Sequence, residues 1–320
     1  KLLRRFPIEA EVTPGFTVLE NEAALALSHE AREELARRAL ADPDGPIGRA
    51  YSHFAVELDW PSFQSLLGMI ESERDKLTDY TARIAGGRAP GPHVLVGAHP
   101  DETPQPIEAD FLRWLTRGQW DLVAAAMATG SANDQKCAER MRAASWSFAG
   151  LAPVFLTDGG EPRKSMATAK APPHAAARLG DWQLKYLSAL ETMRKARVAE
   201  DTRHVLTLAE AHAHLYEAAK SRKGALDFGD LVTRTVALLT EKASAAWVLY
   251  KLDGGVEHIL VDEAQDTAPQ QWDILRALTE NFFAGEGAHR FTPVPSSGQR
   301  LARTIFAVGD EKQSIYSFQG

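Results

Sequence analysis

The chain has 320 residues, of which 44% are hydrophobic and 25% charged, as is ordinary for a globular protein with a sizeable core. It contains no apolar run long enough to span a membrane, and its first residues lack the pattern of a signal peptide, so the sequence predicts a cytoplasmic protein. The formal net charge of −7 argues mildly against a nucleic-acid partner, because phosphate groups favour basic surfaces, although an average can hide a basic patch.

Cysteine and histidine residues give little sign of a metal or thiol site. The single cysteine, Cys137, cannot form an internal disulfide, and its surroundings predict a small packing residue in a helix rather than a catalytic thiol. The ten histidines, including the pair His212 and His214, match no familiar spacing of metal ligands, so we expect no structural zinc.

The stretch from residue 20 to residue 250 is dominated by helical patterns. Apolar residues recur at three-and-four spacing between 107 and 147, and 176–222 is typical of one long or two consecutive amphipathic helices. The clearest interruptions, rich in Gly, Pro and Asp, lie at 41–48, 86–106 and 157–164.

Within this helical stretch, "PVFLTDGGEPRKSMAT" (153–168) predicts a β-hairpin or strand-turn, with Asp158 and two glycines in the turn. A projecting turn would present Arg163 and Lys164, with Lys170 close behind, to the phosphates of duplex DNA. The alternative is a solvated surface turn with no ligand.

After residue 224 the pattern changes to alternating helices and strands. Asp227 is predicted to cap a helix, with Asp230 as the second acid of a capping box. The segment "VEHILVD" (256–262) is typical of a strand buried in a parallel sheet. A further helix is predicted to begin at Thr267, with Gln270 at the matching position of a capping box.

A second apolar segment, "TIFAVGD" (304–310), completes a predicted strand-helix-strand unit whose two strands are parallel. The polar connection at 284–300 is longer than most loops in compact domains, and we expect it to be mobile.

Two adjacent acids, Asp262 and Glu263, follow the first of these strands. This pattern is typical of a nucleotide hydrolase, where one carboxylate holds Mg²⁺ through its water shell and the next activates the attacking water. Asp262 is the predicted metal ligand and Glu263 the predicted base. On these two residues alone, an acidic loop that caps a helix would be the better interpretation.

The longer motifs around these two acids favour the nucleotide-hydrolase interpretation over the acidic capping loop. The sequence "DEAQDT" (262–267), followed later by "VGDEKQSIYSFQG" (308–320), resembles motifs II and III of superfamily 1 DNA helicases of the UvrD and RecB type. The segments 2–20 and 155–165 further resemble the AddA subunit of the AddAB helicase-nuclease, and the Gln before the final Gly resembles the α-proteobacterial form.

The resemblance implies an ATP-dependent 3′–5′ DNA helicase or translocase of double-strand-break repair and recombination, with ATP and Mg²⁺ as cofactors. Its implied partners are duplex DNA ends, single-stranded DNA and an AddB-like subunit. The implied fold is α/β, with a partial RecA-like P-loop motor domain (1A) over 224–320. A large, mainly α-helical inserted domain (1B), which contacts DNA, would cover 1–223.

The same resemblance implies roles for residues around the two motifs. Asp310, Gln265 and Gln313 are expected near the nucleotide, with Gln313 reaching the γ-phosphate. Phe318 and Tyr316 are expected to stack on single-stranded bases, for which Phe318 is the better candidate. The alternative for either ring is packing in the core.

The family's phosphate loop, GxxxxGK[ST], is missing, because no Gly-Lys pair occurs in the 320 residues. The resemblance places this loop upstream, and motifs IV to VI with a nuclease domain downstream. The chain is therefore interpreted as a fragment that is inactive alone. The alternatives are a non-catalytic DNA-binding or protein-interaction module, or a RecB-like or UvrD-like helicase other than AddA.

Overall fold

The computed structural model describes residues 1–100, 102–241, 243–253, 258–280 and 304–310, which form mainly helices with two small parallel sheets. The chain divides into two compact units, the first made of Lys1–Glu34 and His214–Gly320 and the second of Leu35–Ala213. Among the described residues, no helix combines the length and the apolar character needed to cross a membrane.

The helices of the described residues are, in chain order, α1 (Leu2–Arg5), α2 (Asn21–Ala41), α3 (Pro46–Glu57), α4 (Trp60–Ser72), α5 (Arg74–Ala85), α6 (Pro92–Val96), α7 (Pro104–Trp114), α8 (Arg117–Met127), α9 (Ala132–Ala143), α10 (Phe148–Phe155), α11 (Pro173–Arg222), α12 (Phe228–Thr240), α13 (Ala245–Asp253) and α14 (Pro269–Thr279). The strands are β1 (Thr17–Val18), β2 (Ala225–Leu226), β3 (His258–Val261) and β4 (Thr304–Ala307). The pattern at 176–222 belongs to the single helix α11, so the question of one helix or two is settled as one.

The first unit is held together by residues from both ends of the chain. Strand β1 pairs in parallel with β2, and the backbone N–H of Leu19 extends the pairing by donating to Leu226 O at 2.8 Å. The buried core joins the N-terminal segment to the helices after residue 224, and it contains Leu3, Phe6, Val12, Phe16, Leu226, Leu238, Leu239 and Val248. Residues 1–34 and 214–223 lie in this first unit, whereas the family resemblance implies a helical domain over 1–223 and a motor domain over 224–320.

The second unit has an aromatic core. The rings of Trp120 and Trp182 are stacked with centroids 5.6 Å apart, and those of Phe148 and Tyr186 are stacked at 4.3 Å. Cys137 is fully buried in this core, and burial raises the pKa of its thiol. The predicted packing role of Cys137 is confirmed, because a buried thiol with a raised pKa is inert.

The predicted hairpin at 153–168 is only partly confirmed. Its first residues belong to α10, which buries four apolar side chains on one face and includes Pro153. The helix forms because that face enters the core, and packing outweighs the cost of an internal proline. The turn that follows is present, with Gly160 at φ +79°, but its strands reduce to one antiparallel bridge between Leu156 and Pro162.

The helix caps after residue 224 agree with the sequence at one end and differ at the other. Asp227 Oδ1 accepts from the Asp230 N–H at 2.8 Å and Asp230 Oδ2 accepts from the Asp227 N–H at 2.9 Å, so this capping box is confirmed. The predicted cap of α14 is wrong by one residue. Pro269 occupies the first helical position, where its fixed φ fits, and Ala268 is the N-cap.

The prediction that both apolar strands are buried is wrong for the described residues. Strands β3 and β4 pair in parallel with His258 opposite Thr304 and Val261 opposite Ala307. Leu260 is 73% exposed and Phe306 59% exposed. The physical reason is that these strands form a sheet of two, so their faces lack the neighbouring layers that cover a parallel sheet.

Candidate functional site

The candidate site lies where β3 and β4 end. Because the strands are parallel, their carboxyl ends meet at one edge of the sheet. Two backbone hydrogen bonds extend the pairing past the strands, from Val308 N to Val261 O at 2.9 Å and from Ala264 N to Val308 O at 2.8 Å. This arrangement brings the acids after β3 beside Asp310, which follows β4.

The turn after β3 is held in an uncommon conformation. Glu263 has φ +51° and ψ +46°, the left-handed region that residues other than glycine seldom adopt. Its backbone N–H donates to Asp262 Oδ1 at 3.0 Å, and its carbonyl oxygen accepts from the Asp266 N–H at 2.9 Å. Left-handed non-glycine residues cost about 1–2 kcal/mol and cluster at functional sites.

Gln265 joins the two strand ends through its side-chain amide. Its Nε2 donates to Glu263 Oε2 at 2.6 Å, and its Oε1 accepts from the Asp310 backbone N–H at 3.0 Å. The structure therefore brings together four of the residues singled out from the sequence, namely Asp262, Glu263, Gln265 and Asp310. The fifth nucleotide candidate, Gln313, lies outside the described residues.

Two further residues belong to this turn and were not singled out. A Cβ on Gly309 would lie 2.6 Å from Gln265 Oε1 and 3.0 Å from Gln265 N, so the close approach of the two loops needs glycine. One carboxylate oxygen of Asp266 is buried and accepts no hydrogen bond from the described residues. The sequence signal for both was their place inside the two motifs, directly beside the chosen residues Gln265 and Asp310.

The side chains of Asp262 and Glu263 are exposed at the sheet edge. Carboxylate oxygens suit Mg²⁺, which in nucleotide sites is usually held by one or two carboxylates together with phosphate oxygens and water. Within the described ranges, no group of three or more His, Cys, Asp or Glu is arranged to hold a metal by itself.

The candidate DNA contacts divide into described and undescribed residues. In the second unit, Arg163 is half-buried, and its Nε donates to Pro153 O at 3.2 Å. Lys164 and Lys170 are exposed. The other two candidates, Tyr316 and Phe318, lie beyond the part of the chain that the structure describes.

Comparison with known families supports the motif interpretation. The model of the UvrD/REP helicase N-terminal domain matches residues 124–320, which is more than half of the chain.

Individual relatives match smaller parts of the chain. An ATP-dependent helicase/nuclease subunit from Listeria monocytogenes serotype 4b is 31% identical over 143 residues, which cover 43% of this chain and 10% of that protein. RecBCD enzyme subunit RecB of Mycolicibacterium smegmatis is 33% identical over 104 residues, covering 32% and 8%. ATP-dependent DNA helicase SRS2 of Saccharomyces cerevisiae is 33% identical over 105 residues, covering 33% and 7%. The chain thus spans about a tenth or less of each relative.

Proposed function

Since the chain belongs to the UvrD/REP helicase N-terminal domain family, we propose that it is a fragment of an ATP-dependent 3′–5′ DNA helicase or translocase. We assign the parent protein to the AddA type of the α-proteobacteria, acting in double-strand-break repair and recombination with an AddB-like partner. The observation that carries the proposal is the hydrogen-bonded turn in which Gln265 joins Glu263 to the Asp310 backbone.

Each residue of this turn has a proposed task. Asp262 holds Mg²⁺ through water, and the metal when bound offsets the negative charge of the nucleotide phosphates. Glu263 orients and deprotonates the attacking water, and the hydrogen bond that Gln265 Nε2 donates to its carboxylate positions it within the turn. Gln265 and Asp310 hold the two loops in register, and Gln313 contacts the γ-phosphate.

The two units also have proposed tasks. The second unit is the DNA-contacting domain 1B, and the first unit is part of the RecA-like domain 1A. Support comes from the parallel pairing of β3 and β4 with the motif residues at their carboxyl ends. Phe318 and Tyr316 grip single-stranded bases by stacking, and Arg163 and Lys164 attract duplex phosphates.

The proposal is tested with the Glu263→Gln variant of the full-length parent protein. Loss of the base should lower single-strand-stimulated ATP turnover by roughly 10²–10⁴-fold while DNA affinity is retained. The matched control is Glu241→Gln, which alters an exposed glutamate at the end of α12. Near-normal turnover by Glu263→Gln would refute the assignment of the base.

For the isolated 320-residue chain we propose a second function, which is DNA binding without ATP hydrolysis. They contain no Gly-Lys pair, so no GxxxxGK[ST] loop is available to cradle nucleotide phosphates. In isolation the chain is expected to bind DNA without hydrolysing ATP. Magnesium-dependent turnover by the purified chain would contradict this expectation.

A further inference from the structure

A polar cleft of about 260 Å³ lies in the second unit beside α9. Two of its lining cations, Lys136 and Arg140, lie one helical turn apart on α9, and the third, Arg163, comes from the turn after α10. Since side chains four residues apart share a helix face, Lys136 and Arg140 face the same space.

These three cations have no acidic partners in the described part of the chain, because none of them forms an ion pair there. The Nε of Arg140 is moreover buried without a hydrogen-bond partner among the described residues. Buried donors are nearly always hydrogen-bonded in native proteins. Arg140 also makes a hydrogen bond to the Cys137 thiol, so the feature that calls for a ligand is the set of cations that line the cleft. The chain as a whole has more acidic than basic residues, 43 against 36, so three neighbouring cations without an acidic partner are unusual in it.

The one carboxylate that lines the cleft, that of Asp134, already accepts hydrogen bonds from neighbouring protein groups. Asp134 Oδ2 accepts from the Ser131 N–H at 2.8 Å and from the hydroxyls of Ser131 and Thr168 at 2.7 and 2.6 Å. Its Oδ1 accepts from the Thr168 N–H at 2.7 Å. The Thr168 hydroxyl is the main reason that the pKa of Asp134 lies well below its usual range, although burial acts in the opposite direction.

The hydrogen bonds of Asp134 therefore connect the segment around Thr168 to the start of α9. Three cations against this one carboxylate leave the lining with two net positive charges. Arg163 is also held in place, because its Nε donates to Pro153 O while its two terminal nitrogens make no hydrogen bond within the described residues. The cleft thus presents preoriented donors and excess positive charge to an anion.

We propose that this cleft binds a phosphate group of the duplex DNA backbone, with Arg140 and Arg163 as hydrogen-bond donors and Lys136 as a rim charge. Guanidinium groups match the geometry of phosphate oxygens and are the preferred donors in such sites. The inference rests on the proposed function, because a DNA motor supplies the ligand. Free phosphate shares the same chemistry and is distinguished by the experiment.

The test measures binding of a dye-labelled blunt duplex to the 320-residue chain by fluorescence anisotropy at several salt concentrations. Arg140→Gln and Arg163→Gln should each weaken binding roughly tenfold and lower the slope of log K against log salt by about one. The control Arg142→Gln removes an exposed cation from the same helix outside the cleft, and it should change affinity less than twofold. Arg140→Lys, which keeps the charge, should preserve the salt slope, and circular dichroism checks that each variant is folded.

Unchanged affinity and salt slope in both glutamine variants would overturn the proposal, as would absence of duplex binding by the unmodified chain. A calorimetric titration with inorganic phosphate supplies the second arm. Phosphate binding that Arg140→Gln abolishes, with duplex binding intact, would assign the cleft to free phosphate and refute the DNA contact. In the full-length parent, Arg140→Gln should keep single-strand-stimulated ATP turnover, whereas Glu263→Gln should lose it, so failure of either proposal can be recognised separately.

Discussion

Replacing Lys220 with methionine should destabilise the first unit by removing the centre of a buried ionic cluster. Lys220 is 2% exposed, and its Nζ lies 2.6 Å from Asp230 Oδ2 and 3.0 Å from Asp227 Oδ2. Its ammonium also lies 4.8 Å from the centre of the Tyr216 ring. The cluster therefore fixes the end of α11 against the capping box that begins α12.

The magnitude follows from what the substitution leaves behind. Methionine preserves most of the volume of the lysine stem, so a large cavity term is not expected. Asp227 and Asp230 are only 13% and 14% exposed, and both lose their cation. Breaking a buried pair from one side costs about 3–5 kcal/mol. The hydrogen bonds of the capping box persist in the variant, and the lost contact with Glu217 is half-exposed and therefore weak. We therefore expect a loss of unfolding free energy at the lower end of this range, about 3 kcal/mol.

The pKa shifts give the pH dependence of this effect. Burial by itself lowers the pKa of Lys220, but the hydrogen bonds that its ammonium donates to Asp230 and Glu217 outweigh burial and leave the pKa raised. Burial by itself raises the pKa of Asp227, but the Asp230 backbone hydrogen bond and the charge of Lys220 leave it lowered. The stabilisation by the Lys220 cluster is thus fully present at pH values between the unfolded-state pKa of Asp227 and that of Lys220. It is lost as pH falls below about 4 through the Asp227 pKa, and as pH rises through the Lys220 pKa.

Urea unfolding followed by circular dichroism measures the free energy of unfolding of the wild type and of Lys220→Met at pH 7 and at lower pH. Lys223→Met removes an exposed cation three residues away and should change stability by no more than about 0.5 kcal/mol. Adding Asp230→Asn to Lys220→Met should recover part of the loss, because the amide oxygen still caps the helix without a buried charge. A difference below about 1 kcal/mol at pH 7, or no recovery in the double variant, would refute the reasoning.

Three further predictions concern the candidate site, the core of the second unit and the activity of the isolated chain. Gly309→Ala in the full-length parent should lower ATP turnover roughly tenfold, because the added Cβ would displace the Gln265 amide from the Asp310 N–H. The control Gly180→Ala places a methyl group in open space on α11, and it should raise the free energy of unfolding by about 0.5–1 kcal/mol. Turnover equal to wild type in Gly309→Ala would show that this contact is dispensable. Cys137 should resist thiol reagents at pH 8 until denaturant unfolds the second unit, and rapid labelling of the native chain would contradict its burial. The purified 320-residue chain should show no magnesium-dependent ATP turnover above a protein-free blank.

Local patterns explain which parts of the fold could be predicted from the sequence. The Asp227 and Asp230 box was predictable because both partners lie within one helical turn, and its geometry depends on little else. The start of α14 was missed by one residue because the polar Thr267 matches the usual preference for a cap, whereas Pro269 takes the first helical position and makes Ala268 the N-cap. The helix that replaces the first half of the hairpin depends on distant core contacts, which no local pattern contains.

The meeting of the two strand ends could be predicted from the sequence, but the contacts between them could not. Parallel pairing alone implies that residues after β3 and β4 meet, and the two motifs identify which residues these are. The bridging role of Gln265 depends on a match between a side-chain amide and a backbone N–H 45 residues away, which spacing cannot reveal. The left-handed Glu263 was likewise invisible, because nothing in "DEAQ" demands positive φ, and the conformation is imposed by the hydrogen bonds around it.

The negative net charge illustrates why an average is a poor guide to an anion partner. Several carboxylates on helix surfaces pair with a cation three or four residues away, as Asp121 does with Arg117. Such pairs cancel charge locally and contribute little to the field at a distance. The cleft beside α9 is different, because Asp134 is used up by four hydrogen bonds and the cations around it have no carboxylate partner in the described residues. A phosphate approaching that face therefore meets a local surplus of positive charge, whatever the sign of the total.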